Sequence, residues 1–177
     1  MKVARRKTVL AGSTALAAAA LVLGLDRSAR GGTLAVMVQA GTAAGHWEVE
    51  HSDEEWRRLL SPQQYAVLRQ SATERSFTSA LNSEKHAGVF ACAGCQLELF
   101  SSRTKFDSGT GWPSFYEPLK NAVGTTEDGA FGMTRTAVHC RRCGGHLGHV
   151  FDDGPAPTGL RYCINGVALT FQPEGKS

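Results

Sequence analysis

The residues of this chain with the most chemistry to offer are its five cysteines, which divide into two Cys-x-x-Cys pairs, Cys92/Cys95 and Cys140/Cys143, and one solitary residue, Cys163. Two pairs of this spacing supply the four thiolates of a tetrahedral zinc site. Each pair forms a tight knuckle, where Gly94 and Gly144-Gly145 are expected to relieve backbone crowding. A structural zinc would tie two loops of a small, loop-rich domain together. Two other uses of the pairs stay open on spacing alone. They are disulfides, if the chain is exported to an oxidising compartment, and thiol exchange at one of the pairs.

Cys163 has no partner in that arrangement. A leftover cysteine in an exported chain is a reactive thiol or half of an intermolecular disulfide; the bland alternative is a small buried hydrophobe. Arg161, two residues earlier, shares a face with it on a strand. There the cation would stabilise a thiolate, the nucleophilic form. Asn165, two residues later, offers an amide for orienting a substrate or a water. His146 and His149, in HLGH, could replace two cysteines at a metal or fill the core. With four cysteines completing a zinc shell, the preferred reading is catalytic: holding and delivering protons near neutral pH. Residues 108–115, SGTGWPSF, are glycine-rich but lack a Gly-Lys-Ser/Thr sequence and a following helical pattern, which excludes a P-loop. Trp112 beside Pro113 fits an aromatic wall, with core packing as the ordinary alternative.

The elements that must position these residues follow from the rest of the chain. Residues 1–25 place four basic residues ahead of an uncharged, mostly apolar run, the pattern of an export signal. Arg5-Arg6 is similar to a twin-arginine signal, and the run is marginally long enough to remain as an uncleaved anchor. Residues 26–45, rich in Gly, Ala and Thr, are expected as a tether, which leaves one domain over 46–177. Of 19 basic and 16 acidic residues, the first 45 hold six and one, so the body carries 13 and 15 and is slightly acidic. That excludes a nucleic-acid binder working through a basic face. Ser52-Asp53-Glu54-Glu55 and Ser61-Pro62-Gln63-Gln64 predict two capped helices. Trp56, Leu59 and Leu60 would share one apolar face, and Tyr65 and Leu68 another, as a packing brace without chemistry. Beyond Phe77 the chain predicts short strands at 89–91, 97–100, 131–138, 150–151, 160–164 and 167–171. A mostly antiparallel β domain with an N-terminal helical brace is the simplest assembly.

KFDSGTGWPSF (105–115), HLGHVFDDGP (146–155) and PTGLRYCINGVALTF (157–171), framed by both Cys-x-x-Cys pairs, closely resemble the B-type peptide-methionine (R)-S-oxide reductases. The likeness covers roughly residues 50–172. It implies two small antiparallel sheets with N-terminal helices, and zinc on Cys92, Cys95, Cys140 and Cys143. It implies Cys163 as nucleophile, His146, His149 and Asn165 on the polar side of a pocket, and Trp112 as the wall for the substrate's S-methyl group. The chemistry implied is reduction of methionine-R-sulfoxide in peptides and proteins, leaving Cys163 as a sulfenic acid. Many members carry a resolving cysteine where this chain has Thr110, so the expected reductant is an external, thioredoxin-like thiol. The rival expectation is a zinc-knuckle binding module without catalysis. The protein is further expected to be a monomer, periplasmic, touching membrane only through its leader.

Overall fold

Two serines start the two helices. Ser52 accepts from the Glu55 backbone N–H while Glu55 reaches back to the Ser52 N–H, opening α1 (Asp53–Leu59). Ser61 and Gln64 repeat the exchange at α2 (Pro62–Gln70), with proline at the first helical position, where its missing N–H costs nothing. Trp56, Leu60, Tyr65, Val67 and Leu68 are buried. Leu59, expected on that face, is 61% exposed. Helix α1 is barely two turns long and ends at Leu59, so the i, i+4 pair Trp56 and Leu60 makes its whole buried stripe. The computed structural model describes residues 46–129 and 134–175, within the unit Thr42–Ser177. The expected leader and tether, and the start of the strand expected at 131–138, lie outside the described residues. Among the described residues no helix is long and apolar enough to cross a membrane.

The strands form two antiparallel sheets. The smaller pairs β1 (Gly88–Cys92) with β2 (Glu98–Ser101) on one side and β9 (Leu169–Pro173) on the other. The larger has the order β3 (Lys105–Phe106), β4 (Ser114–Phe115), β8 (Arg161–Ile164), β7 (His146–Phe151), β6 (Arg135–Cys140), β5 (Val123–Asp128). Both sheets contribute to one core. Phe100 stacks on Phe115 at 4.4 Å, Phe90 meets Phe115 edge-on at 5.0 Å, and Leu99, Val138, Leu147 and Ile164 are fully buried around them. Strand β5 was not expected, because VGTTED carries no apolar alternation and mostly faces solvent. Strand β7 begins at His146 rather than at 150; Gly148, a residue type depleted in strands, hides its first half in the sequence.

The larger sheet sorts its side chains strictly by face. Phe115, Tyr162 and Val150 lie opposite one another and turn towards the core. The alternate row, Ser114, Cys163, His149, Ala137 and Thr126, turns the other way. The register between β6 and β7 slips once: Val138 pairs with Gly148 but His139 pairs with His146, leaving Leu147 as an extra residue. This bulge reverses parity. His146 and His149, three apart, would point to opposite faces of a regular strand; with Leu147 bulged, they share one.

Candidate active site

Cys163 sits mid-sheet on β8, half-buried, with Ser114 of β4 across from it on one side and His149 of β7 on the other. Arg161 occupies the same face two residues away. Its Nε and Nη2 donate to the two carboxylate oxygens of Asp153 at 2.7 and 2.8 Å, and its guanidinium lies 4.4 Å from the Phe151 ring centroid. Its charged form is favoured first by Asp153 and further by Cys163 itself, so cation and sulfur are within interacting range. Thr110 Oγ1 stands 3.7 Å from Cys163 Sγ.

The two histidines differ in role-defining ways. His149 Nε2 donates to Asp128 Oδ2 at 2.8 Å, which leaves that ring fixed by a carboxylate. Asp128 also accepts from Arg135 Nη2 at 2.8 Å. The His146 ring lies 5.4 Å from that of His149, tilted by 68°, and is buried. Its Nε2 has no hydrogen-bond partner among the described residues. Burial, then the nearby His149, pulls its pKa down to about 4, so the ring is neutral at pH 7. A buried ring nitrogen without a partner is costly unless something else satisfies it, and it stands beside the face that carries Cys163.

Trp112 is half-buried and donates its Nε1–H to the Glu74 carbonyl at 3.0 Å. Glu74, in the loop after α2, is tied in turn to Asn165: its N–H donates to Asn165 Oδ1 at 2.8 Å. Asn165 Nδ2 donates to the Leu147 carbonyl at 2.9 Å, and Asn165 is buried. Both ends of the Asn165 amide are thus engaged by backbone, and the side chain acts in this geometry as a clamp joining the Trp112 loop, the Leu147 bulge and the end of β8. The Phe77 ring, 70% exposed, packs on Gly111, where a Cβ would come within 2.7 Å of it.

Four sulfurs gather at the other functional cluster. Cys92, Cys95, Cys140 and Cys143 are free thiols, and all four Sγ atoms lie within 4.8 Å of one another. Cys92 Sγ is 3.8 Å from Cys143 Sγ, and Cys95 Sγ is 3.5 Å from Cys140 Sγ. Sulfurs about 2.3 Å from a central zinc are about 3.8 Å apart in a tetrahedron. The two knuckles are built alike. Cys92 N–H donates to the Leu97 carbonyl and its carbonyl accepts from Gln96; Cys140 makes the same pair of bonds with Gly145 and Gly144. Left-handed backbone falls on Gln96 and Gly144, so Gly94, expected to relieve the first turn, is not where the strain lies. The brace reaches this cluster: Arg69 donates to the Cys143 carbonyl at 2.9 Å, and Leu68 packs against Gly145.

Of the residues singled out in the sequence, the structure brings Cys163, Arg161, His149 and His146 to one face, collects the four paired cysteines, and ties Trp112 to Asn165 through Glu74. Sequence reasoning missed Asp128 and Glu74. Nothing local marks either, since one acts through two strand registers and the other through a loop packed against a distant chain end.

A partly buried thiol beside an arginine and across from a carboxylate-held imidazole, on a β domain with four clustered sulfurs that could hold a metal ion, has the make-up of a thiol-dependent enzyme. Residues 60–173 match the SelR domain, and the chain belongs to that family, the MsrB reductases. It is 55% identical over 130 residues to the peptide methionine sulfoxide reductase MsrB of Leptospira interrogans, covering 73% of this chain and 99% of the relative. Similar relatives of the same name occur in Leifsonia xyli, 58% identical over 73% of this chain and 95% of the relative, and in Methanosarcina barkeri, 58% identical over 71% and 89%.

Proposed function

We propose that this protein reduces methionine-R-sulfoxide in peptides and proteins to methionine, with Cys163 as the nucleophile. The observation that carries this reading is the position of Cys163: partly open to solvent, opposite His149 on β7 and beside Arg161 on its own strand. A non-catalytic zinc-knuckle module would need none of these. Arg161 favours the thiolate, which attacks the sulfoxide sulfur. His149, held by Asp128, supplies the proton to the sulfoxide oxygen, and the neutral His146 offers its unpartnered Nε2 to the same oxygen or to a water. The S–O bond to the substrate breaks and the hydroxyl passes to Cys163 as the sulfur–sulfur bond made by the attack is released. The substrate sulfur is reduced to the thioether, and Cys163 is oxidised to a sulfenic acid. Trp112, anchored through Nε1, forms the wall for the S-methyl group.

All other cysteines belong to the four-sulfur cluster, so regeneration falls to an external dithiol of the thioredoxin type. One of its thiols displaces water from the sulfenic acid, and the second releases Cys163 as a disulfide forms on the partner. The four clustered cysteines hold one structural zinc, which fits their number, spacing and knuckle geometry. The basic, then apolar, leader supports export to the periplasm.

The deciding experiment is turnover of resolved R- and S-sulfoxide peptides by wild type and Cys163→Ser. We expect R-sulfoxide reduction alone, lost in the variant. After one stoichiometric turnover without reductant, mass spectrometry should find Cys163 with one added oxygen. Full turnover by the variant, or an intramolecular disulfide at Cys163, would contradict the reading.

A further inference from the structure

The loop between β3 and β4 carries hydroxyls that the reaction above does not use. Ser108 Oγ lies 2.8 Å from Thr110 Oγ1 and 2.7 Å from Ser114 Oγ. Ser114 Oγ lies 3.1 Å from the Trp112 carbonyl oxygen. At the other end Thr110 Oγ1 lies 3.7 Å from Cys163 Sγ, a hydrogen-bonding distance for sulfur. The chain therefore runs without a gap from the reacting sulfur to a main-chain carbonyl. Ser114 is fully buried, and Ser108 and Thr110 are partly so, which limits competition from water.

Counting hydrogens gives this chain two self-consistent directions. Each hydroxyl has one hydrogen to donate and lone pairs to accept, while a carbonyl only accepts. If Ser114 donates to the Trp112 carbonyl, Ser108 donates to Ser114 and Thr110 to Ser108. Thr110 then presents a lone pair to Cys163, which suits a sulfur that carries hydrogen. If Cys163 is a thiolate, the sulfur only accepts. Thr110 then donates to it, Ser108 donates to Thr110, and Ser114 to Ser108. Passing between the two needs three hydroxyl rotations, and no O–H bond breaks.

We propose that Thr110 is a further catalytic residue, its hydroxyl donating to the Cys163 sulfur as a thiolate and accepting from it as a thiol, with Ser108 and Ser114 as positioning residues that set its direction. The proposal rests on the reading of Cys163 as the nucleophile. Ser114, paired across the sheet from Cys163, roots the chain in the strand next to the sulfur, so the donor is held in place before substrate arrives. A hydrogen bond to an anion is the stronger kind, so the chain favours the thiolate over the thiol.

The test uses Thr110→Val, which keeps the shape and loses the hydroxyl, Thr110→Ser, which keeps the hydroxyl, and Ser108→Ala, which cuts the chain one link further in. Alkylation of Cys163 by iodoacetamide is followed against pH in the protein as purified, located by mass spectrometry, beside single-turnover reduction of an R-sulfoxide peptide. At pH 7 Thr110→Val should react about tenfold more slowly than wild type, the size of one charge-assisted hydrogen bond. The two rates should converge at high pH, where both sulfurs are ionised. Thr110→Ser should restore the wild-type profile, Ser108→Ala should fall between, and single-turnover rates should follow the same order. A Thr110→Val profile equal to wild type overturns the proposal. So does a Thr110→Val rate that is low at every pH, since that reports lost access rather than a lost donor. Failure of the underlying reading has a separate signature, full turnover by Cys163→Ser, on which the alkylation profile does not depend.

Discussion

Asp128 is the residue whose change separates orientation from chemistry. Its carboxylate touches His149 and Arg135. Asp128→Asn keeps the shape but removes the negative charge that faces the His149 ring. We expect kcat for sulfoxide reduction to fall about a hundredfold, within the range of a general acid's contribution, with KM little changed. Steady-state kinetics and a near-unchanged circular dichroism spectrum would establish this; an unchanged kcat would remove Asp128 from the proton path. His146 makes a different prediction, on stability. Its folded pKa, about 4, lies below the ordinary value of 6.5, so the folded chain refuses a proton that the unfolded chain takes. Stability from this residue is therefore complete above about pH 6.5, is lost as pH falls from about 6.5 to about 4, and changes no further below. The loss is at most about 3 kcal/mol. The groups facing the ring are His149, Asp128, Arg135 and His139. Urea unfolding across this window should show a steeper decline for wild type than for His146→Asn.

At the scale of elements, the Leu147 bulge and the glycine after it decide whether the site exists. A Cβ on Gly148 would lie 2.1 Å from the Cys163 carbonyl oxygen, so β7 and β8 approach closely only because that position has no side chain. Gly148→Ala should force β8 away, lower stability by about 3 kcal/mol, and reduce activity more than stability alone explains. Denaturant melts together with activity measured well below the melting point would check both parts. Strand β5 contributes in the opposite manner. It has little core of its own, yet its register with β6 delivers Asp128 to Arg135, and through the face they share to His149.

For the molecule as a whole, the four-sulfur cluster joins the end of β1, in the small sheet, to the end of β6, in the large one, and both helices pack nearby. A metal there acts as a cross-link between sheets that together offer a modest core. Stripping it should lower Tm by at least about 15 °C, given the large share of folding free energy such sites carry in small domains. Elemental analysis should find about one zinc per chain, and Cys92→Ser should reproduce the loss without chelator. A metal-free protein with both pairs oxidised and an unchanged Tm would end this account of the cluster.

The helix starts were legible in the sequence because a capping box is a contact between residues three apart. The two cysteine knuckles were legible too, because Cys-x-x-Cys closes on itself within a single turn. Arg161 and Cys163 shared a face by strand parity alone. Leu59, β5 and the left-handed turn at Gln96 were not legible. Their environment is set by where the helix stops, by which strand covers an edge, and by a turn geometry that no glycine announces. The pairing of His146 with His149, the carboxylate behind His149, the clamp at Asn165 and the hydroxyls reaching Cys163 all depend on register between distant strands. Local sequence determines what a residue is and which way it alternates, whereas a one-residue slip between strands, decided only when the sheet assembles over its core, determines which chemistry it meets.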